Sequence, residues 1–263
     1  MCIYLEQTLL KNMKIPHIVH YCWYGGKFDF VLSQCVKSFA KLGDDHIIKC
    51  WNEENSGIND NELLKFLVDN KAWAFVSDYV RLKALYDEGG IYLDTDIQII
   101  KPLPEKYYEA DMIVGYAYDD IVSTAFIMVR PGHPFIKYVL DILEGFLKDK
   151  RKVVNNGYIT QAFLDYFPDF KLDGKFREFS KGCFIYPRQY FDSATFKRNA
   201  GYCIHHGVGA WRKTESPLRK KLRPVVKYLR FYLKPFAVWY QNRVNTKMVM
   251  NSGNFLKIYN KNL

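Results

Sequence analysis

Two rhythms of apolar residues alternate along positions 1–150 of this 263-residue chain. One is the continuous β-branched and aromatic run of a buried strand. The other is the three- and four-residue spacing of a helix with one apolar face. The first run is Ile15–Trp23 (IPHIVHYCW), closed by Gly25-Gly26. A helix is predicted over Asp29–Leu42, a short strand over His46–Trp51, and helices over Asp60–Asn70 and Lys71–Glu88. Gly89-Gly90 ends the last of these, where glycine is favoured past a helix C-terminus. Ile91–Leu93 is then a strand running into Asp94-Thr95-Asp96, and Ile97–Ile100 stays extended as far as Pro102. Further strands are predicted at Met112–Tyr116, Ala125–Val129, Cys183–Tyr186 and Tyr202–His206, and helices at His133–Lys148 and Tyr158–Phe167. This alternation predicts an α/β domain. Its mostly parallel sheet is covered by helices and binds ligands at the carboxyl ends of its strands.

From Pro217 the pattern changes. Leu218, Leu222, Val225, Leu229, Tyr232, Phe236 and Trp239 recur at helical spacing, and Arg219, Arg223, Lys227, Arg230 and Lys234 fall on the opposite face. Pro224 and Pro235 are expected to split this stretch into two or three short helices. Charge follows the same division. From Arg212 onward there are 13 Lys/Arg and one acid, Glu215, so residues 212–263 carry +12, whereas residues 1–211 carry −2 and the whole chain +10. The chain therefore reads as an α/β body, residues 1–211, and a basic amphipathic helical tail, residues 212–263. Such a tail either docks on an anionic membrane surface or packs on the body with its basic face in water, and the first is favoured. Nucleic-acid binding is not predicted, because no recognised motif accompanies the basic residues.

Apolar residues make up 49% of the chain, enough for a sizeable core, and the 17% aromatic content suits stacking on sugar rings or bases as well as packing. The cysteines, at 2, 22, 35, 50, 183 and 203, form no Cys-x-x-Cys pair and no zinc-module spacing. They read as reduced, buried thiols of a cytosolic protein. The N-terminal stretch lacks a long apolar segment and a small-residue cleavage site, so no signal peptide is expected. No apolar run approaches the roughly 20 residues that span a bilayer. The expected location is cytoplasmic, peripheral on a membrane.

The chemistry concentrates in one block. An apolar strand ending in Asp94-x-Asp96 sets two carboxylates at the lip of a sheet, and residues two apart in extended backbone point the same way. Two such carboxylates repel unless a cation lies between them, and hard oxygen ligands suit Mg²⁺ or Mn²⁺. An aspartyl-phosphatase loop also follows an apolar strand, but it requires Thr or Val where Gln98 stands. Upstream, Asp78 and Arg81 are three apart on a helix and share a face. The Gly89-Gly90 turn brings that helix back against the Asp94 strand. His205 and His206 sit at a strand end, where one of them is a candidate third metal ligand, with His205 preferred. Asp119-Asp120 and Asn155-Asn156 are expected in loops, as exposed residues first and acceptor contacts second.

The run SDYVRLKALYDEGGIYLDTD resembles the core of the Asp-x-Asp glycosyltransferases of family 32, which include capsular-polysaccharide sugar transferases and the yeast outer-chain mannosyltransferase. The same core is similar to the catalytic domain of the large clostridial glucosylating toxins. IPHIVHYCWYGG, CWNEEN, GHPFIK, IYPRQYF and IHHGVGAW resemble flanking blocks, so the likeness runs from Ile15 to Trp211. It implies a GT-A fold, a UDP- or GDP-hexose donor, retention of anomeric configuration, and a glycan or lipid-linked acceptor. It further implies that Asp94 and Asp96 hold the metal and the donor diphosphate. Asp78 and Arg81, with Ser77 beside them, would contact the donor sugar, Trp23 would stack near the base, and Tyr92 would line the donor site. The family usually has Ser before the last Trp, and here Ala210 precedes Trp211. Two rival expectations are a non-catalytic nucleotide-sugar-binding module and a toxin-like transferase acting on protein. Asp94 and Asp96 beside Asp78 and Arg81 argue against the first.

Overall fold

The computed structural model describes residues 14–27, 29–118, 120–208 and 217–243. Its strands are β1 (Ile18–Cys22), β2 (Ile47–Trp51), β3 (Gly90–Leu93), β4 (Ile97–Ile99), β5 (Met112–Tyr118), β6 (Ile121–Val129), β7 (Arg177–Ser180), β8 (Cys183–Tyr186) and β9 (Cys203–His205). Its helices are α1 (Phe30–Lys37), α2 (Lys65–Asp69), α3 (Trp73–Glu88), α4 (Pro134–Lys148), α5 (Asn155–Tyr166) and α6 (Pro217–Tyr232). A further helical segment covers residues 234–243.

Seven strands form one sheet in the order β2-β1-β3-β6-β5-β8-β7, and β4 pairs with β9 in a small second sheet. Strand β6 is antiparallel to both of its neighbours, and β7 is antiparallel to β8. The other five strands run the same way. The expected α/β fold, a mostly parallel sheet flanked by helices, is therefore what the chain adopts. The β5–β6 hairpin is its antiparallel interruption.

Side-chain alternation sorts the sheet into two cores. Tyr92, Val114, Tyr116 and Ile127 pack on one side with α3, α4 and α5. Ile91, Leu93, Ile113, Phe126 and Met128 face the other side, with Phe39, Tyr107, Tyr108 and Phe191. Near-continuous apolar strands follow from this two-sided burial. Gly90 makes the close approach possible: at φ 95° a Cβ there would stand 2.4 Å from the Ile18 carbonyl oxygen on β1.

Several predicted boundaries move. The helix expected over Asp60–Asn70 is only α2, because Asn61 accepts from its own neighbour's amide, Leu63, at 3.0 Å. Lys71 takes a left-handed φ of 51°, so α3 starts at Trp73. Strand β7 was not foreseen. Helix α6 runs unbroken through Pro224, and the interruption falls at Leu233, ahead of Pro235. Five cysteines are free, four of them buried, and Cys2 lies outside the described residues. Among the described residues no helix is long and apolar enough to cross a membrane.

The tail helices lie against the body with an unexpected face inward. Arg223 donates to the Val208 carbonyl at 2.6 Å, Lys227 pairs with Asp29, and Arg230 reaches the carbonyls of His205 (3.4 Å) and His206. Leu218, Leu222, Val225, Tyr228, Tyr232 and Trp239 are exposed. The packing alternative put the basic face in water. Instead Arg223 and Arg230 turn to backbone carbonyls and Lys227 to the Asp29 carboxylate, Lys221 and Lys234 stay exposed, and much of the apolar stripe faces outward.

Candidate functional site

Strand β3 delivers Asp94 to the carboxyl end of the main sheet, where its N–H donates to the Ala125 carbonyl at 2.9 Å. Ile97 N–H donates back to the Asp94 carbonyl at 2.9 Å, closing a tight turn that swings the chain from β3 into β4 and leaves Asp96 inside the bend. Because β4 pairs antiparallel with β9, Ile97 stands opposite His205. The turn and the small sheet together bring a residue more than a hundred positions away against the acidic pair. Ligand atoms of Asp94, Asp96 and His205 all lie within 4.8 Å of one another.

Each member is held from behind. Asp96 accepts from Val208 N–H at 2.7 Å, and its other oxygen stands 3.3 Å from His205 Nε2. The opposite ring nitrogen of His205 meets Asp192 at 2.9 Å, the carboxylate backing that orients a ligating imidazole. Burial pushes Asp96 up, but His205 and the Val208 amide overcome it and hold the carboxyl well below its ordinary range. Burial opposes charge on His205 as well, yet Asp96 and Asp192 raise it well above its usual value. A knot of two carboxylates around one imidazole is satisfied by a proton or by a divalent cation, and two carboxylate oxygens with one imidazole fit Mn²⁺ or Mg²⁺.

Alternation on β9 separates the two histidines. His205 faces the acidic pair, while His206 is buried, with Nε2 2.9 Å from Gln98 and its ring stacked on Phe231 at 5.6 Å. Burial, then Arg230, pushes His206 down to about 3, so it stays neutral. Only its backbone joins the site, donating to the Asp96 carbonyl at 2.9 Å.

Beside Asp94 lies a buried guanidinium. Arg81 donates to Asp94 Oδ1 and to the Thr124 carbonyl, both at 2.8 Å, and sits 4.3 Å above the Tyr92 ring. One turn earlier on α3, Asp78 stands 3.5 Å from it. Burial pushes the Asp78 carboxyl up to about 7, against the pull of Arg81. Asp94 is also raised, first by burial and then by Asp96, despite Arg81.

Asn155 was expected to be an exposed loop residue. It instead opens α5 and donates to Asp78 Oδ1 at 2.6 Å, and Asn156 accepts from Thr124 Oγ1 at 3.0 Å. Tyr92 is buried beneath Arg81, so it meets the site through that side chain. The Ser77 hydroxyl donates to the Trp73 carbonyl of its own helix at 2.9 Å. Trp23 follows β1 at the same sheet end, its indole N–H on the Gly26 carbonyl at 2.8 Å. Asp192 and Thr124 escaped sequence reasoning, and Asn155 was placed in a loop rather than at the start of α5. Ala210, Trp211 and Asp119 lie outside the described residues.

Residues 30–119 match the family described as "Glycosyltransferase sugar-binding region containing DXD motif". That stretch contains Asp78, Arg81, Asp94 and Asp96 and stops short of Asp192 and His205. One curated relative, inositol phosphoceramide mannosyltransferase 1 of Schizosaccharomyces pombe, is 26% identical over 153 residues. That alignment is 51% of this chain and 44% of the relative, so the chain spans less than half the length of the relative it matches. Among solved structures, the PaToxG glycosyltransferase is 19% identical with a TM-score of 0.48, covering 64% of this chain and 77% of that one. A glycosyltransferase involved in glycosylation of the major capsid of PBCV-1 is 12% identical with a TM-score of 0.34, covering 68% and 85%.

Proposed function

We propose that the protein is a metal-dependent, retaining glycosyltransferase of the GT-A type. It moves a hexose from a UDP- or GDP-linked donor to a growing glycan or a lipid-linked acceptor. The observation that carries this is the meeting of Asp94, Asp96 and His205 within 4.8 Å at the end of β3, beside the Arg81–Asp78 pair.

Asp94, Asp96 and His205 would hold Mn²⁺ or Mg²⁺, and the bound ion supplies neutralisation of the charge that builds on a diphosphate leaving group. The rest falls to side chains already fixed in place. Arg81 is locked by Thr124 and Tyr92, so its charge stays put as donor binds and can take a phosphate oxygen or sugar hydroxyl. Asp78, held near neutrality by burial and anchored by Asn155, is placed to bond a donor hydroxyl as donor or acceptor. Asp192 keeps His205 oriented. Trp23 offers a stacking face for the base. No side chain need act as base, since in a retaining transfer the donor's own phosphate can take the acceptor proton.

The outward apolar stripe of α6 supports a protein held at an anionic membrane, with Leu218, Leu222 and Val225 at the acyl boundary and exposed Lys221 and Lys234 near headgroups. That would bring the site to a lipid-linked acceptor, in keeping with the relative named for transfer to inositol phosphoceramide.

The test is a screen of UDP- and GDP-hexoses, GDP-mannose first, for Mn²⁺-dependent donor hydrolysis and transfer. Turnover of one donor, abolished by chelator, is expected. Donor binding without turnover would instead support a non-catalytic binding module, and transfer to protein alone would support the toxin-like alternative.

A further inference from the structure

The amino ends of the sheet hold a second group of ligating side chains, at the far end of β1 from the site above. His17 immediately precedes β1 and His46 immediately precedes β2. These strands are parallel, with Ile18 opposite Ile47, so the two histidines are neighbours across the sheet edge. Their rings stack 4.5 Å apart and 2° from parallel. Asp45 turns one carboxylate oxygen to each: His17 Nδ1 meets Oδ2, and His46 Nδ1 lies 3.1 Å from Oδ1. All three ligand positions fall within 4.8 Å of one another.

We propose that His17, Asp45 and His46 form a binding site for a borderline divalent cation of the zinc class, separate from the Asp94 site. Two imidazole nitrogens turned on one carboxylate are held either by Nδ1–H bonds from neutral rings or by a cation among them, and a zinc titration separates the two. Ligands bonded at about 2.1 Å to one ion stand at most about 4.2 Å apart, a closure the exposed Asp45 side chain can make.

Two further observations point the same way. Tyr108 accepts or donates at 2.7 Å with His46 Nε2, the back-side hydrogen bond that fixes a ligating histidine, and packs its ring 4.2 Å from His17 at 62°. Asp45 is 60% exposed, so an ion has an open path and water can complete its coordination. The donor set separates the two sites. Two imidazoles with one carboxylate suit Zn²⁺, Co²⁺ or Ni²⁺, whereas the two-carboxylate site suits Mn²⁺ or Mg²⁺. Its place suggests a clip. Among the described residues β2 is an edge strand that pairs only with β1 and exposes Ile47 and Ile48, and an ion here would pin its start to β1 and to the Tyr108 segment.

The experiment titrates chelator-stripped full-length chain with Zn²⁺ against a chromophoric competitor, for wild type, Asp45→Asn, His46→Gln, Tyr108→Phe and Asp96→Asn. Circular dichroism reports folding. The expected result is one Zn²⁺ equivalent that disappears in Asp45→Asn, persists in Asp96→Asn and weakens about 10–100-fold in Tyr108→Phe. Saturating Zn²⁺ at about 100 times its Kd should raise the wild-type melting temperature by roughly 5 °C or more, and leave Asp45→Asn unmoved. Should His46→Gln fail to fold, the exposed Asp45 variant decides alone. Unchanged zinc stoichiometry and affinity in folded Asp45→Asn overturns the proposal. So does a wild type whose only zinc equivalent vanishes in Asp96→Asn. Neither outcome depends on donor turnover.

Discussion

Residues 30–119 and the segment from Tyr190 through the tail build opposite halves of one site by opposite means. The first half is local: Asp78 and Arg81 share one helix, and Asp94 and Asp96 share one turn. Gly89-Gly90 folds the helix back on the strand. The second half is assembled at a distance. His205 reaches Asp96 because β9 pairs with β4, Asp192 backs His205 across thirteen positions, and Arg230 and Gln241 hold the His205 carbonyl at 3.4 and 2.8 Å. On the proposed function, the local half carries the charge that would bind a cation and diphosphate. The distant half fixes where that cation would sit. Losses in the first should therefore abolish turnover, and losses in the second should weaken metal affinity by steps.

The largest expected effect is from Asp96→Ala, which removes a ligand and the acceptor of the Val208 amide. Its kcat/KM for the donor should fall by roughly a thousandfold, about 4 kcal/mol in the barrier. Equal turnover in this variant would break the contrast at its stronger end. Next, Asp192→Asn should leave the acidic pair intact yet weaken Mn²⁺ affinity by about 10–100-fold, read as a rightward shift of the Mn²⁺ activation curve with kcat at saturating metal largely kept. A fall in kcat without that shift would mean that Asp192 acts on the donor instead. Arg230→Met takes the guanidinium from the His206 carbonyl, while Gln241 still holds that of His205, and should cost about 1–3 kcal/mol in chemical denaturation, with a smaller shift in metal activation. Unaltered stability there would make the tail a bystander.

The smallest expected effect lies away from both halves and serves as a control. His133 caps α4 by accepting from Phe135 N–H at 3.2 Å, and burial, then Arg130, pushes it down to about 4. A base whose folded value lies below its unfolded value of about 6.5 binds fewer protons when folded. Its stabilising contribution is therefore complete above about pH 6.5 and is lost as pH falls towards 4. Denaturation midpoints should decline across that window in wild type and less steeply in His133→Asn, where the amide can still cap.

Legibility divided along the same line. The strand–helix alternation, the Gly89-Gly90 reversal and Asp94/Asp96 were readable because each is set by neighbours within a few residues. The preference for His205 over His206 rested only on strand alternation, and alternation is what turns His206 into the core against Phe231. Asp192 gave no local signal: it is one aspartate after an aromatic run, and its meaning comes from a strand pairing that no periodicity encodes. Asn155 was misplaced because Val154-Asn155-Asn156-Gly157 has loop composition, while α5 begins there in the company of Asp78. The tail's apolar spacing was plain in the sequence, but not which face would turn outward. Arg223 and Arg230 found backbone carbonyls and Lys227 the Asp29 carboxylate, and tertiary contacts alone decide that.

The most direct measurement is Mn²⁺ binding followed by electron paramagnetic resonance with UDP or GDP present, in wild type and in Asp96→Asn. One bound Mn²⁺ per chain, tightened by nucleoside diphosphate and lost in Asp96→Asn, is the result expected. Nucleotide binding at full strength with Mn²⁺ stoichiometry unchanged in Asp96→Asn would contradict the assignment of the cation to Asp94, Asp96 and His205.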